Sequence, residues 1–192
     1  MIFALEKAPP QSEVARLQAL WTAGLPVVPT LVLVGVEAEF YQLANLAEQI
    51  QRAFAGVFGA RLDEAKLERA CAFAEKLLRE SYLLPERAEA IGLALPEGPL
   101  LLRYADEAPF ALAEGRSQAL WALKRLWASR WQIDAVLQRQ PRLAPPEAAS
   151  LVQRLPGPLA LDEALSSQAS ALLEQPLRVW VSAGQVVRVQ EA

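Results

Sequence analysis

Arg103 stands where the apolar run Leu100–Leu102 ends, followed by Tyr104, Ala105 and then the acids Asp106 and Glu107. A guanidinium offers five N–H donors in a rigid fork, a geometry that grips a phosphate or a carboxylate. Its plainer role is a solvated strand terminus, with Asp106 and Glu107 forming an ordinary polar turn beside it. What the chain lacks limits the alternatives. There is no histidine, which removes Ser-His and Cys-His nucleophiles, imidazole acid–base catalysis, the common zinc and iron ligand sets and any phosphohistidine on this chain. Only carboxylates remain to hold a metal, which points to magnesium or calcium. The spacing of the acids marks no metal site, so a carboxylate-only metal hydrolase has no support in the pattern. Ser81, Ser117, Ser129 and Ser150 have no base partner. Neither a Walker loop nor a GxGxxG after a strand is present. Cys71 is the only cysteine, so no internal disulfide forms, and its place among apolar helix positions makes it a core residue rather than a reactive thiol.

The elements that must position Arg103 can be read from periodicity. Ile2–Leu5 suits a short strand broken by Pro9 and Pro10. Ser12 can then cap a helix carrying Val14, Leu17, Leu20 and Trp21 and stopping at Gly24. In "LPVVPTLVLV" a buried strand begins at Pro29 and ends at Gly35. Glu37–Phe58 has helical spacing at Phe40, Leu43, Leu46, Ile50 and Phe54. A second helix follows through "ARLDEAKLERACAFAEKLLRES", with Leu62, Leu67, Cys71, Phe73, Ala74 and Leu77 facing inward. A short helix starts at Pro85. Leu100–Arg103 is a strand, Ala111 and its neighbours suit a second one, and Arg116–Gln138 forms one long helix whose Leu120, Leu123, Trp127 and Trp131 form a core stripe. Leu151–Leu155 fits a strand, Asp162 can cap a helix through Leu173, and "LRVWVSAGQVVRVQ" alternates as a C-terminal β-hairpin. With no repeat and no linker, residues 1–192 read as one α/β (α+β) domain, a mixed sheet flanked by several helices, with two subdomains at about 1–95 and 96–192 as the other division.

Three blocks of this framework resemble the N-terminal ATP-binding domain of phosphoenolpyruvate synthase and pyruvate phosphate dikinase, which is ATP-grasp-like. "AGLPVVPTLVLV" is similar to that family's "AGLPVPPGFVVT". "GPLLLRYADEAPFALAEGRSQALWALKRLWASRW" matches its strand-terminal arginine, Gly115 and the helix ending Trp127-Ala128-Ser129. "EAASLVQRL" is similar to the following strand "VAVVVQRMV". The order and spacing agree from about Glu6 to Leu155. The resemblance implies an ATP site with Lys7 and Arg103 on the phosphates and Gln153 near the cleft. By charge alone, Arg116 can add to the grip and Glu107 or Glu114 can offer a ligand for Mg2+, but the family's downstream magnesium-holding acids have no counterpart here and no metal residue is assigned. The resemblance assigns no catalytic residue. The departures are specific: no glycines precede Lys7, the two serines after the family's arginine are Tyr104 and Ala105, and the phosphate-covering loop is cut down to "DEAPFALAEG".

Two functions of different class follow. One is an ATP-binding domain, kinase- or phosphotransferase-like if active, whose phosphate would pass to a separate phosphohistidine protein. The other is a degenerate, non-catalytic interaction subunit that keeps the fold without binding nucleotide. An apolar fraction of 53% and a mean hydropathy of +0.16 suit either a full interior or a surface for a protein partner or a second copy. The net charge of −3 with interspersed signs argues against nucleic acid and anionic membranes. No basic leader precedes an apolar stretch, and the longest apolar run, Leu25–Val34, is proline-interrupted and too short to span a bilayer. A cytoplasmic location is expected.

Overall fold

The computed structural model describes all of residues 1–192. Its elements in chain order are β1 (Ile2–Ala4), α1 (Ser12–Thr22), β2 (Thr30–Leu33), α2 (Val36–Gln42), α3 (Leu46–Ala53), α4 (Glu64–Glu80), α5 (Pro85–Ala94), β3 (Leu100–Tyr104), β4 (Ala111–Ala113), α6 (Arg116–Ser129), α7 (Ile133–Gln138), β5 (Ser150–Arg154), β6 (Leu159–Leu161), α8 (Glu163–Leu173), β7 (Leu177–Ser182) and β8 (Gln185–Glu191). The larger sheet has the order β1-β2-β5-β3-β4 and the smaller β6-β7-β8.

The α/β class, the flanking helices and the C-terminal hairpin are those the sequence implies. Every strand pair in both sheets is antiparallel. The one parallel pairing is a bridge between Val27 and Val186, where the segment before β2 meets β8 and joins the sheets. Strands from before and after residue 95 interleave in the larger sheet, since β2 pairs with β5.

β2, β3 and most of β5 are buried on both faces, which is why they read as continuous apolar runs rather than alternating ones. Alternate side chains supply two cores. On one face Leu31, Leu33, Leu100, Leu102, Tyr104 and Val152 pack against α2 to α7. On the other, Val32 and Leu151 meet α1, α8 and the hairpin. The hairpin turns through Ala183 and Gly184, both at positive φ, as a tight turn between right-twisted strands requires.

Local expectations change in four places. Ser12 lies inside α1 at positive φ and caps nothing. Its hydroxyl donates to Asp106 instead. The expected helix from Glu37 to Phe58 is broken, because Ala44 and Asn45 adopt left-handed conformations and turn α3 away from α2. The long helix from Arg116 stops at Ser129 and resumes as α7, so that successive residues point differently: Arg130 stacks on the Tyr104 ring, its guanidinium carbon 3.7 Å from the centroid. Phe73 and Leu62, expected inward, are exposed, and Leu78 takes the core position. Cys71 is buried as expected, and burial pushes its thiol up to about 11, which keeps it unreactive.

Candidate functional site

Strand alternation at the end of β3 sends Arg103 and Tyr104 to opposite faces of the larger sheet, creating two polar centres back to back. The Arg103 centre is fully buried: Arg103, Glu13 and Gln153 are each 0% exposed. Nε donates to Gln153 Oε1 at 2.8 Å. Nη1 donates to Glu13 Oε2 at 2.6 Å and to the Tyr104 carbonyl at 3.2 Å, while Nη2 donates to Glu13 Oε1 at 2.9 Å and to the Val187 carbonyl at 3.1 Å. Each of the five N–H groups has a protein acceptor.

Glu13 is equally committed. Besides the fork from Arg103, its oxygens accept the backbone N–H of Asp106 at 2.7 Å and of Val189 at 2.8 Å. Gln153 donates onward to the Val187 carbonyl at 2.7 Å and to Thr30 at 3.2 Å, whose hydroxyl donates to the Val28 carbonyl. One connected network therefore ties α1, β2, β3, β5 and β8 together. Arg16 closes its outer edge, pairing with Asp106 at 2.5 Å and Glu191 at 2.9 Å.

Of the residues expected at the nucleotide, the structure brings Arg103 and Gln153 into direct contact. Lys7 is not with them: it lies exposed in the 3-10 turn Leu5–Lys7, without a hydrogen bond to either. Arg116 donates to the Leu95 carbonyl at 2.7 Å. Glu107 pairs with Arg130 at 3.2 Å, and the Glu114 backbone N–H is accepted by Gln118. No three acids or cysteines cluster as a metal site. The residues present do not fit a triphosphate at Arg103, because such a group would have to displace the buried Glu13 carboxylate. Sequence reasoning missed Glu13. An acid in the first turn of an amphipathic helix reads as a dipole partner, and only the tertiary placement of α1 over β3 reveals its other role.

No protein-family model and no curated protein matches this chain.

The Tyr104 centre faces the helical layer. The Tyr104 hydroxyl donates to Glu37 Oε2 at 2.9 Å, and Trp131 Nε1 donates to the Tyr41 hydroxyl at 2.7 Å. Glu37 and Tyr41 lie on α2, Ala47 and Gln51 on α3, and the break at Ala44 and Asn45 splays these helices. Between them and the loop 143–148 opens a cavity of about 390 Å³, with Trp131 in its wall. Two arginines pin that loop: Arg130 donates to the Pro146 carbonyl at 2.9 Å, and Arg139 to the Leu143 carbonyl at 2.7 Å.

Glu37 is the unusual group of this centre. Its Oε1 is buried without a hydrogen-bond partner, and Glu37 takes part in no ion pair. Burial raises its carboxyl to about 7, against the opposing pull of the Arg130 charge and the Tyr104 and Tyr41 hydroxyls. Burial likewise raises the Tyr41 and Tyr104 hydroxyls above the ordinary tyrosine range, leaving both as neutral donors and acceptors. The arrangement can bind a polar group and can exchange a proton near neutral pH. Nothing in the sequence beyond a glutamate following a strand-ending glycine signals it.

Proposed function

We propose that this chain is a divergent relative of the ATP-binding domain of phosphoenolpyruvate synthase and pyruvate phosphate dikinase, retained as a nucleotide-free binding module. The observation that carries the reading is the saturation of Arg103. A phosphate-binding arginine keeps donors for its ligand, whereas all five here are held by protein acceptors, two of them on a buried carboxylate of opposite charge. Opening that pair to admit nucleotide would leave Glu13 buried and uncompensated, at a cost of several kcal/mol.

The relationship is supported by placement. The three resembling segments lie on β2, β5 and β3, which are consecutive in the larger sheet, and the arginine and glutamine that would flank nucleotide touch each other. In this reading Glu13 supplies permanently the negative charge that a phosphate would bring. Phosphotransfer, and the Mg2+ that would accompany ATP, form no part of it. A role in binding other molecules is favoured by the exposed large side chains Trp121 at 55%, Leu93 at 76% and Leu112 at 68%, on α6, α5 and β4, with α6 packing against both of the others. A protein partner or a second copy of the chain would cover them. The reading includes a cytoplasmic location. No helix is long and apolar enough to cross a membrane.

Calorimetric titration with ATP and Mg2+ tests the proposal. The expected result is no saturable heat up to millimolar nucleotide. Saturable binding that is lost in Arg103→Ala would overturn it and restore the ATP-binding function, with Lys7, Arg103 and Gln153 as its first candidates.

A further inference from the structure

The cavity beside Glu37 lies on the opposite face of the larger sheet from Arg103 and is independent of the nucleotide question. We propose that it binds a small organic amine, a primary ammonium on an apolar or aromatic body, with the ammonium on the Glu37 carboxylate and the body against Trp131 and Leu143.

The argument is one of complementarity. Glu37 lines a cavity large enough for a compact ligand, and its buried Oε1 makes no hydrogen bond of ordinary geometry, although the Tyr41 hydroxyl stands beside the carboxyl. A buried acceptor without a partner is costly, and a ligand donor offsets that cost. The charged groups lining the cavity are the carboxylates Glu37 and Glu147, and no lysine or arginine lines it. Arg130, the cation nearest in influence, directs its terminal N–H groups to the Pro146 carbonyl and to Glu107 and stacks on Tyr104. The position beside Glu37 therefore favours a cation from outside. Apart from Gln51 the rest of the wall is mostly apolar or aromatic, with Tyr41, Trp131, Leu143 and Pro145, which suits a hydrocarbon or ring as the body of the ligand. The anchoring of loop 143–148 by Arg130 and Arg139 holds that wall in place before ligand arrives, which limits the ordering cost of binding.

The protonation of Glu37 gives the site a pH dependence. An alkylammonium stays charged well above neutrality, so pairing needs only the glutamate ionised. The groups that face Glu37 are Tyr104, Tyr41, Arg130 and Glu107; both tyrosines, raised by burial, stay neutral through this range. With the Glu37 carboxyl at about 7, amine affinity rises by about tenfold between pH 6 and pH 8.

Three probes with a common phenylethyl body differ in the charge of their head: 2-phenylethylamine, 2-phenylethanol and 3-phenylpropionate, titrated by calorimetry and by tryptophan fluorescence at pH 8. The expected result is saturable binding of the amine at millimolar concentration or tighter, binding of the alcohol weaker by about tenfold or more, and no binding of the acid. Glu37→Gln keeps an acceptor for Tyr104, and Ala47→Phe fills the cavity from an exposed helix face; each should weaken the amine by about tenfold or more without changing the far-ultraviolet circular dichroism. The proposal is overturned if the acid or the alcohol binds as tightly as the amine. It is equally overturned if folded Glu37→Gln binds the amine unchanged, or if wild-type protein shows no saturation by about 10 mM amine. None of these outcomes alters the expectation for ATP.

Discussion

Arg103 and Glu13 illustrate how a residue's chemistry is decided by its neighbours rather than by its type. An exposed arginine at a strand end is a ligand-binding group in waiting, but the same arginine at 0% exposure, facing a glutamate also at 0%, is structural. Removing one partner strands the other charge in the interior. Arg103→Met and Glu13→Gln should each lower stability by about 3–5 kcal/mol in urea denaturation. The double variant should cost less than the sum by about 1–3 kcal/mol, and simple additivity would contradict the pairing. Glu37 makes the opposite prediction. Because its folded carboxyl, at about 7, lies above the ordinary value of 4.5, the native state holds a proton that the unfolded chain has released between those values. Stability is therefore lost as pH rises from about 4.5 to 7 and levels off above. Glu37→Gln should flatten that slope and be the more stable protein above pH 7, by up to about 3 kcal/mol. Parallel stability profiles for the two proteins would show that Glu37 is not held protonated.

At the scale of elements, much was legible in the sequence. Pro85 starts α5, Asp162 caps α8 by accepting the Leu165 N–H at 2.9 Å, and the alternation around Ala183 and Gly184 becomes β7 and β8. These signals are local, and local chemistry decides them. The breaks at Ala44–Asn45 and at Arg130 were not legible, because the apolar period runs through both and only tertiary contacts impose them. Trp131 must reach Tyr41 while Arg130 reaches Tyr104, and a continuous helix points successive residues about 100° apart without that freedom. The short strand β6 escaped for a similar reason, since its three residues pair along the smaller sheet and carry little pattern of their own. Ala44 holds a left-handed conformation, with φ of 48°, that disfavours any residue with a side chain. Ala44→Gly should therefore raise the melting temperature, by an amount equivalent to about 1 kcal/mol; a lowered melting temperature would place the strain elsewhere.

For the whole molecule, the larger sheet separates two environments of different purpose. Behind it, Arg103, Glu13 and Gln153 lock α1 and the C-terminal hairpin onto the strands. In front, the splayed α2 and α3 leave a cavity with an acceptor to spare. The resemblance named Arg103 and Gln153 as separate nucleotide-site candidates, and their contact across the neighbouring strands β3 and β5 became visible only in the fold. It could not reveal that Glu13, 90 residues from Arg103 in the chain, accepts both ends of the guanidinium fork. The most direct measurement follows the Arg103 Nε–H resonance by nitrogen-15 NMR while ATP and Mg2+ are added. The account predicts a resonance protected from solvent exchange and unmoved up to millimolar nucleotide. A saturable shift of that resonance, with loss of its protection, would contradict it.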